Sequence, residues 1–159
     1  MKDTARDIMD QKFLTVQPDM TIFEAVQVLQ RASALSGRQV FGLMVTDYRQ
    51  QLVGMLSMYD IFLLIRPKHI HIWGEMTDLD LTGMVAQACQ KAGRALVGDI
   101  MTTDLITIGP ETHILYIIDI MLKKHVRRIP VLENGRLLGI VYLSRVFEHL
   151  LTIFQPTAP

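Results

Sequence analysis

Cysteine is almost absent from this chain of 159 residues, in which Cys89 is the single cysteine. One cysteine excludes a disulfide within the chain and a zinc site built from a cluster of cysteines. A net charge is also absent, since sixteen basic residues balance sixteen acidic ones. This balance argues against non-specific binding of nucleic acid, which depends on a positive surface.

Long apolar runs are lacking as well. No aliphatic and aromatic block is longer than Ile61 to Ile65, which is far shorter than the roughly 20 residues that a membrane-spanning helix needs. Residues 1–7 contain no apolar run that resembles a signal peptide. The sequence therefore predicts a soluble cytoplasmic protein with no membrane partner.

Catalytic motifs are missing from the sequence. It contains no Ser-His-Asp order, no glycine-rich phosphate loop and no His-Glu-x-x-His, so it predicts no enzyme and no required cofactor. His69 and His71 would face one side of an extended connector and could begin a metal site. Only Glu75 and Asp78 are near enough to add a ligand, and we predict no metal.

What the sequence does contain is an internal repeat. Asp-Ile-Met occurs at positions 7–9 and again at 99–101, an offset of 92, which also relates Thr15 to Thr107. Gly54 and Gly139 are only 85 residues apart, so the first copy holds seven extra residues, the difference between 92 and 85. We expect most of them in a loop around residues 33–37. With half its residues hydrophobic, the chain suits two small repeats that share a core.

Each half reads as β-α-β-β-α. Thr21 and Glu24 fit a capping box before an apolar helical stripe, and the Asn-Gly pair at 134–135 between two apolar runs predicts a hairpin. The predicted strands are 14–16, 41–46, 52–57, 128–132 and 137–142, with a further strand at Thr107-Ile108 and hairpin-following helices at 59–65 and 143–151. A helix over 80–96, with Leu81, Val85, Ala88, Cys89 and Ala92 on one face, is predicted between the halves.

The repeated Asp-Ile-Met, the Thr-Val or Thr-Ile strand before a proline, and the hairpin into Gly-h-h-Ser-x-x-Asp resemble cystathionine-β-synthase (CBS) domains. Residues 125–131, His-Val-Arg-Arg-Ile-Pro-Val, are also similar to the family's entry to the hairpin. The resemblance implies an α/β (α+β) fold of two CBS repeats packed as a pseudo-twofold pair, a Bateman module. It assigns 1–65 to repeat 1, 66–95 to a helical connector, 96–152 to repeat 2 and 153–159 to a flexible tail.

Ser57 and Asp60 are the first candidate ligand contacts. At a helix start, the Ser57 hydroxyl and free backbone amides would suit a phosphate, and Asp60 could accept from both ribose hydroxyls. The resemblance implies the same two roles. The alternative is that Ser57 only caps the helix and Asp60 is a favourable acid in its first turn.

The second copy differs at both positions. Tyr142 stands where Ser57 would be, and Arg145 stands for Asp60. Guanidinium only donates hydrogen bonds, so Arg145 cannot hold a ribose hydroxyl by accepting from it. Either this half is closed and structural, which we favour, or Arg145 reaches a phosphate.

Four further residues are predicted to line the nucleotide site. Arg127 and Arg128 precede the second hairpin and suit phosphate oxygens, unless they only form a solvated helix end. Met44 and Met55 could form adaptable apolar walls for adenine, although methionine more often fills a core.

The predicted function is a regulatory module that binds AMP, ADP, ATP or S-adenosylmethionine and signals to an unidentified regulated protein. The alternatives are a ligand-free structural or dimerisation module, and an enzyme or metal site on the connector. We also predict a homodimer, because related modules pair and the exposed helices here are apolar. Candidate residues for that surface are Met121, Val146, Phe147, Leu150 and Leu151.

Overall fold

A computed structural model describes residues 3–67 and 82–156 of the chain. The predicted positions of His69, His71, Glu75, Asp78 and the start of the connector helix lie outside these residues. The elements in chain order are α1 (Ala5–Ile8), β1 (Thr15–Val16), α2 (Ile22–Ser36), β2 (Gly42–Thr46), β3 (Leu52–Ser57), α3 (Met58–Ile65), α4 (Met84–Gly93), α5 (Val97–Ile100), α6 (Ile114–Lys124), β4 (Arg128–Glu133), β5 (Arg136–Tyr142) and α7 (Leu143–Ile153).

These elements divide between two compact units. The repeat-1 unit contains the described parts of residues 14–49 and 53–105, and the repeat-2 unit contains those of 1–13, 50–52 and 106–159. The units therefore do not follow the contiguous ranges 1–65 and 96–152, which remain the repeat boundaries predicted from sequence. Among the described residues, no helix combines the length and apolar character that crossing a membrane requires.

The repeat-1 unit is built on a three-stranded sheet in the order β1-β2-β3, with β1 parallel to β2. Its core includes Val16, Leu43 and Leu56, all with almost no exposed surface. Helix α2 begins as predicted, because the Thr21 hydroxyl accepts from the Glu24 amide at 3.2 Å and satisfies a free donor of the first turn.

The seven extra residues of the first copy are only partly in a loop. Helix α2 has 15 residues and its counterpart α6 has 11, so the loop predicted around 33–37 is wrong for residues 33–36, which are helical. The Ser33 hydroxyl donates to the Leu29 carbonyl at 3.0 Å and accepts from the Val40 amide at 2.9 Å. These bonds hold Ser33 in the helix, which ends at Gly37 in the left-handed conformation.

The repeat-2 unit contains the antiparallel pair β4-β5, which pairs from Arg128↔Tyr142 to Glu133↔Arg136 with a one-residue register shift between Val131 and Leu132. The predicted Asn-Gly turn is confirmed, since Asn134 and Gly135 both have positive φ, at 53° and 77°. That pattern matches the twist of the flanking strands.

The strand predicted at Thr107-Ile108 is reduced to a single parallel bridge between Ile108 and Val131. The Ile108 amide donates to Pro130 at 3.1 Å, and its carbonyl accepts from Leu132 at 2.8 Å. The first strand of the second β-α-β-β-α repeat is therefore only this bridge. Gly109 follows Ile108 where Gln17 follows Val16 in the first copy, and glycine weakens a strand.

The segment leading into each repeat packs in the unit of the other repeat. In the repeat-2 unit, the Ala5 amide donates to Thr112 at 2.8 Å and the Ile114 amide donates to Asp3 at 2.7 Å. In the repeat-1 unit, Val97 donates to Met20 at 2.8 Å and Ile22 donates to Ala95 at 2.9 Å. The same 92-residue offset relates both pairs, so the exchange is a property of the repeat.

The connector helix is present within the described residues as α4 (Met84–Gly93). Of the residues predicted to share one face, Val85 and Cys89 are exposed, Ala88 is half-buried and Ala92 is buried. Gly93 lies so close to the Phe23 ring that a Cβ there would overlap it. The helix therefore packs through its small residues and turns its larger ones outward.

The predicted dimer surface also needs correction. Met121 and Val146 are 4% and 3% exposed and belong to the core of the repeat-2 unit, and Leu150 packs against that core. Phe147 and Leu151 remain exposed on α7. Helix α7 is amphipathic. Val146 and Leu150, four residues apart, lie on the side that faces the core and not on an exposed surface.

Candidate functional site

Ser57 and Asp60 form a complete capping box where β3 becomes α3. The Ser57 hydroxyl accepts from the Asp60 amide at 3.4 Å. Asp60 Oδ2 in turn accepts from the Ser57 amide at 2.8 Å and from the Ser57 hydroxyl at 3.1 Å. The capping alternative is therefore real in this structure, and any ligand contact would be an additional role of the same pair.

The second oxygen of Asp60 is held by a residue that the sequence analysis missed. The Thr102 hydroxyl donates to Asp60 Oδ1 at 3.3 Å. The Thr102 backbone pairs with Met55 in both directions at 2.9 Å, which fixes its position beside β3. A carboxylate offers about four acceptor positions. The described residues donate three bonds to Asp60, which leaves one acceptor position on Oδ1.

The signal for Thr102 was present in the repeat. Thr102 directly follows Asp-Ile-Met, as Asp10 does in the first copy. Comparing the residue after each motif, and not only the shared letters, would have pointed to this position.

The glycine of the hairpin motif has a packing reason. A Cβ on Gly54 would lie 2.6 Å from Met101 Sδ and 3.0 Å from the Thr102 carbonyl oxygen, so only glycine lets this segment approach β3. Gly139 has the same relation to Met9, at 2.8 Å. The repeated glycine and the repeated Asp-Ile-Met methionine are two sides of one contact.

Met44 and Met55 both lie in the repeat-1 unit with Ser57 and Asp60. Met55 is half-buried and shares a face of β3 with Ser57, because residues two apart on a strand point the same way. Met44 is 0% exposed in the middle of β2. It faces away from Leu43 and Val45, which belong to the core of the unit.

Arg127 and Arg128 lie in the repeat-2 unit. Arg127 is exposed, whereas Arg128 is half-buried opposite Tyr142 at the start of the hairpin. Burial lowers the pKa of Arg128, with the neighbouring Arg127 acting in the same direction and Tyr142 opposing it. Within the described part of the chain, Arg128 Nε is buried without a hydrogen-bond partner. Joint action of these arginines with Ser57 and Asp60 stays a prediction.

The second copy of the motif contains an internal ion pair. Arg145 Nε lies 3.1 Å from Asp10 Oδ1, although its geometry is too bent for a hydrogen bond. Arg145 Nη1 donates to Glu148 at 3.3 Å. Tyr142 precedes α7 without a capping bond from its side chain, and burial raises the pKa of its hydroxyl. That this copy does not hold ribose stays a prediction.

Each repeat contains a hairpin that leads into a helix, and the segment before each repeat packs in the unit of the other. These features define a tandem α/β repeat module. Residues 5–67 and 97–152 match the CBS domain family. The chain belongs to this family, and the resemblance noted in the sequence is confirmed. Proteins with CBS domains are typically regulatory modules, which is the class predicted above.

Two curated relatives come from Arabidopsis thaliana. The chain is 29% identical over 145 residues to CBS domain-containing protein CBSX1, chloroplastic, which covers 87% of this chain and 59% of that protein. It is 28% identical over 155 residues to CBSX2, chloroplastic, with 92% and 62% covered. The chain thus spans less than two thirds of these relatives. Their names place them in chloroplasts, so a cytoplasmic location stays a prediction.

Solved structures confirm the fold class. The crystal structure of the CBS-pair protein CBSX2 from Arabidopsis thaliana is 25% identical, with a TM-score of 0.73 over 96% of this chain and 97% of that one. The crystal structure of CBSX2 in complex with AMP is 26% identical, with a TM-score of 0.69 over 96% and 98%.

Proposed function

We propose that this chain is a regulatory module that binds AMP, or a related adenosyl ligand, at a site centred on Ser57 and Asp60. The observation that carries the proposal is the Asp60 carboxylate, which is held at the β3–α3 junction with one acceptor position left on Oδ1. Support comes from the family, in which CBSX2 has been crystallised with AMP.

The proposed roles follow the chemistry of each group. Asp60 Oδ1 accepts one ribose hydroxyl, and the Ser57 hydroxyl turns from Asp60 towards a phosphate at the start of α3. Arg127 and Arg128 supply positive charge, since guanidinium groups pair with phosphate oxygens. Met55 forms an apolar wall for adenine. The side chain of Met44 is fully buried, so Met44 joins this wall only if a cavity opens beside it.

A ligand-free structural module is the second candidate. The capping box of Ser57 and Asp60 is complete without a ligand, and the Asp10–Arg145 pair occupies the equivalent place in the second repeat. Under this alternative both junctions serve only to join a strand to a helix.

A homodimer and a regulated partner belong to the same proposal. Helix α3 has no buried residue, and Tyr59 and Phe62 on it are 65% and 57% exposed. Exposed apolar surface of this kind marks sites of protein association. Ligand binding would bias the arrangement that the partner recognises.

Two measurements separate the candidates. Mass spectrometry of small molecules released from the purified protein should detect an adenosyl compound. Nucleotide-free protein should then melt about 5–10 °C higher with AMP at a hundred times its dissociation constant. The same shift should be tested with ADP, ATP and S-adenosylmethionine. An unchanged melting temperature with all four ligands would leave the structural module as the function.

A further inference from the structure

We propose that Thr102 is a positioning residue for the ribose contact, and that it links the ligand site to the chain segment leading into the second repeat. The inference rests on the proposed function, because it assumes that Asp60 holds ribose. It goes beyond that function by naming a residue outside the Ser-x-x-Asp motif that sets the orientation of the acid.

The two oxygens of Asp60 are not equivalent. Oδ2 accepts two hydrogen bonds from Ser57, which uses its acceptor capacity. Oδ1 accepts one bond from Thr102 at 3.3 Å and keeps one acceptor position. A ribose hydroxyl would therefore bind the same oxygen that Thr102 holds.

The position of Thr102 is fixed by hydrogen bonds of its backbone, which leaves its side chain to orient Asp60. Its amide donates to the Met55 carbonyl and its carbonyl accepts from the Met55 amide, both at 2.9 Å. Met101, the preceding residue, packs directly on Gly54. The backbone of Thr102 therefore fixes the position of its hydroxyl group. Any movement of Asp60 Oδ1 would act through this hydrogen bond on the segment of Met101 and Thr102, which is bonded to β3.

The same position has the equivalent role in the repeat-2 unit. Asp10 pairs its backbone with Ile140 in both directions, at 2.8 and 3.0 Å, and its carboxylate lies 3.1 Å from Arg145. Arg145 corresponds to Asp60, and Asp10 corresponds to Thr102. Both positions differ between the repeats. The hydroxyl of Thr102 meets the acid Asp60 in one, and the acid Asp10 meets the base Arg145 in the other. Because both positions differ together, we infer that the residue after Asp-Ile-Met is chosen to pair with the residue at the position of Asp60.

The test compares AMP with 2′,3′-dideoxy-AMP, which lacks both ribose hydroxyls, by NMR titration of nucleotide-free protein. Thr102→Val should weaken AMP binding roughly two- to tenfold, because an acid that is no longer oriented by Thr102 forms a weaker hydrogen bond with ribose. It should leave binding of the dideoxy compound unchanged. Thr102→Ser, which keeps the hydroxyl, should restore the AMP affinity. Thr103→Val is the matched control, because Thr103 is the exposed neighbour, and it should change neither affinity.

The possible results are distinguishable. Unchanged AMP affinity in Thr102→Val would overturn the inference. Equal weakening of both ligands would also overturn it, since that result indicates a structural effect and not an oriented ribose contact. Wild-type protein that binds neither compound would contradict the proposed function itself. Because Thr102 is exposed, the valine variant should fold, and its melting temperature verifies this.

Discussion

Gly54 and Gly139 are conserved between the two repeats because a segment of backbone and a methionine lie where a Cβ would be. Gly54→Ala should lower the free energy of unfolding by about 1–3 kcal/mol, the usual cost of overpacking, and Gly139→Ala should act in the same direction. Urea unfolding measures both changes.

Gly109→Ala is the control for these variants. Among the described residues, the chain neighbours of Gly109 aside, no atom lies within 4 Å of a Cβ at Gly109, so its substitution should stay within about 0.5 kcal/mol of the wild type. A loss at Gly109 equal to that at Gly54 would mean that close contact with methionine is not the reason for the glycines.

Asp7 gives the N-terminal segment an acid-sensitive contact. Its carboxylate accepts from the Thr4 amide at 2.9 Å and from the Thr4 hydroxyl at 3.0 Å, and the backbone bond in particular lowers the pKa of Asp7. A lowered folded-state pKa stabilises the protein above about pH 4, and this stabilisation is lost as pH falls through the folded pKa.

Asp7→Asn should therefore flatten the decline of melting temperature on acidification below about pH 4. Thr4→Ala should flatten it to a smaller extent, because it removes the hydroxyl donor but keeps the acid and the Thr4 backbone amide that holds it. Melting curves measured across this range in all three proteins provide the test. Parallel declines would show that Asp7 adds nothing to the acid sensitivity.

Helices and hairpins were predictable where their signals are local. Thr21 capped α2 as its sequence indicated, and Asn134 with Gly135 formed the hairpin turn. The exchange of leading segments was not predictable, because the pairing of Ala5 with Thr112 joins residues far apart in sequence and no local pattern encodes it. The connector helix shows the same limit, since its apolar stripe did not reveal that Val85 points outward.

The candidate site divides in the same way. Ser57 and Asp60 could be found from sequence because they sit within one short motif at a strand-to-helix junction. Thr102 could not be placed beside Asp60 without the fold, because the contact spans 42 positions in the chain. The comparison of repeats could identify its counterpart, Asp10, but not the side chains that the two residues contact, Asp60 for Thr102 and Arg145 for Asp10.

The difference between the two strand-to-helix junctions predicts their binding stoichiometry. Wild-type protein should bind one AMP per chain, because the Asp10–Arg145 pair and Tyr142 replace the hydroxyl and acid of the first junction. A triple variant with Asp10→Thr, Tyr142→Ser and Arg145→Asp should bind two, as measured by calorimetric titration.

Arg145→Asp alone is the matched control for the triple variant. It should not create the second site, since it leaves a carboxylate facing Asp10, and like charges in contact disfavour each other. A triple variant that folds but still binds one AMP would show that these three positions do not determine ribose binding.

Association of whole chains should depend on the exposed apolar face of α3. Light scattering should give wild-type protein twice the monomer mass, and Phe62→Glu should shift it to the monomer because a charge replaces apolar contact area. Leu115→Glu, at another exposed apolar residue, is the matched control and should leave the mass unchanged. A wild-type monomer, or a dimer that survives Phe62→Glu, would contradict this assignment.

The central claim is that Asp60 holds the ribose of an adenosyl ligand. Calorimetric titration of AMP into nucleotide-free wild-type protein and into Asp60→Ala tests it most directly. Loss of a hydrogen bond to a charged group should weaken binding by about 1.5–3 kcal/mol, roughly ten- to 150-fold. Asp104→Ala, at another exposed acid, should bind as the wild type does. Equal AMP affinity in wild-type protein and folded Asp60→Ala would contradict the claim.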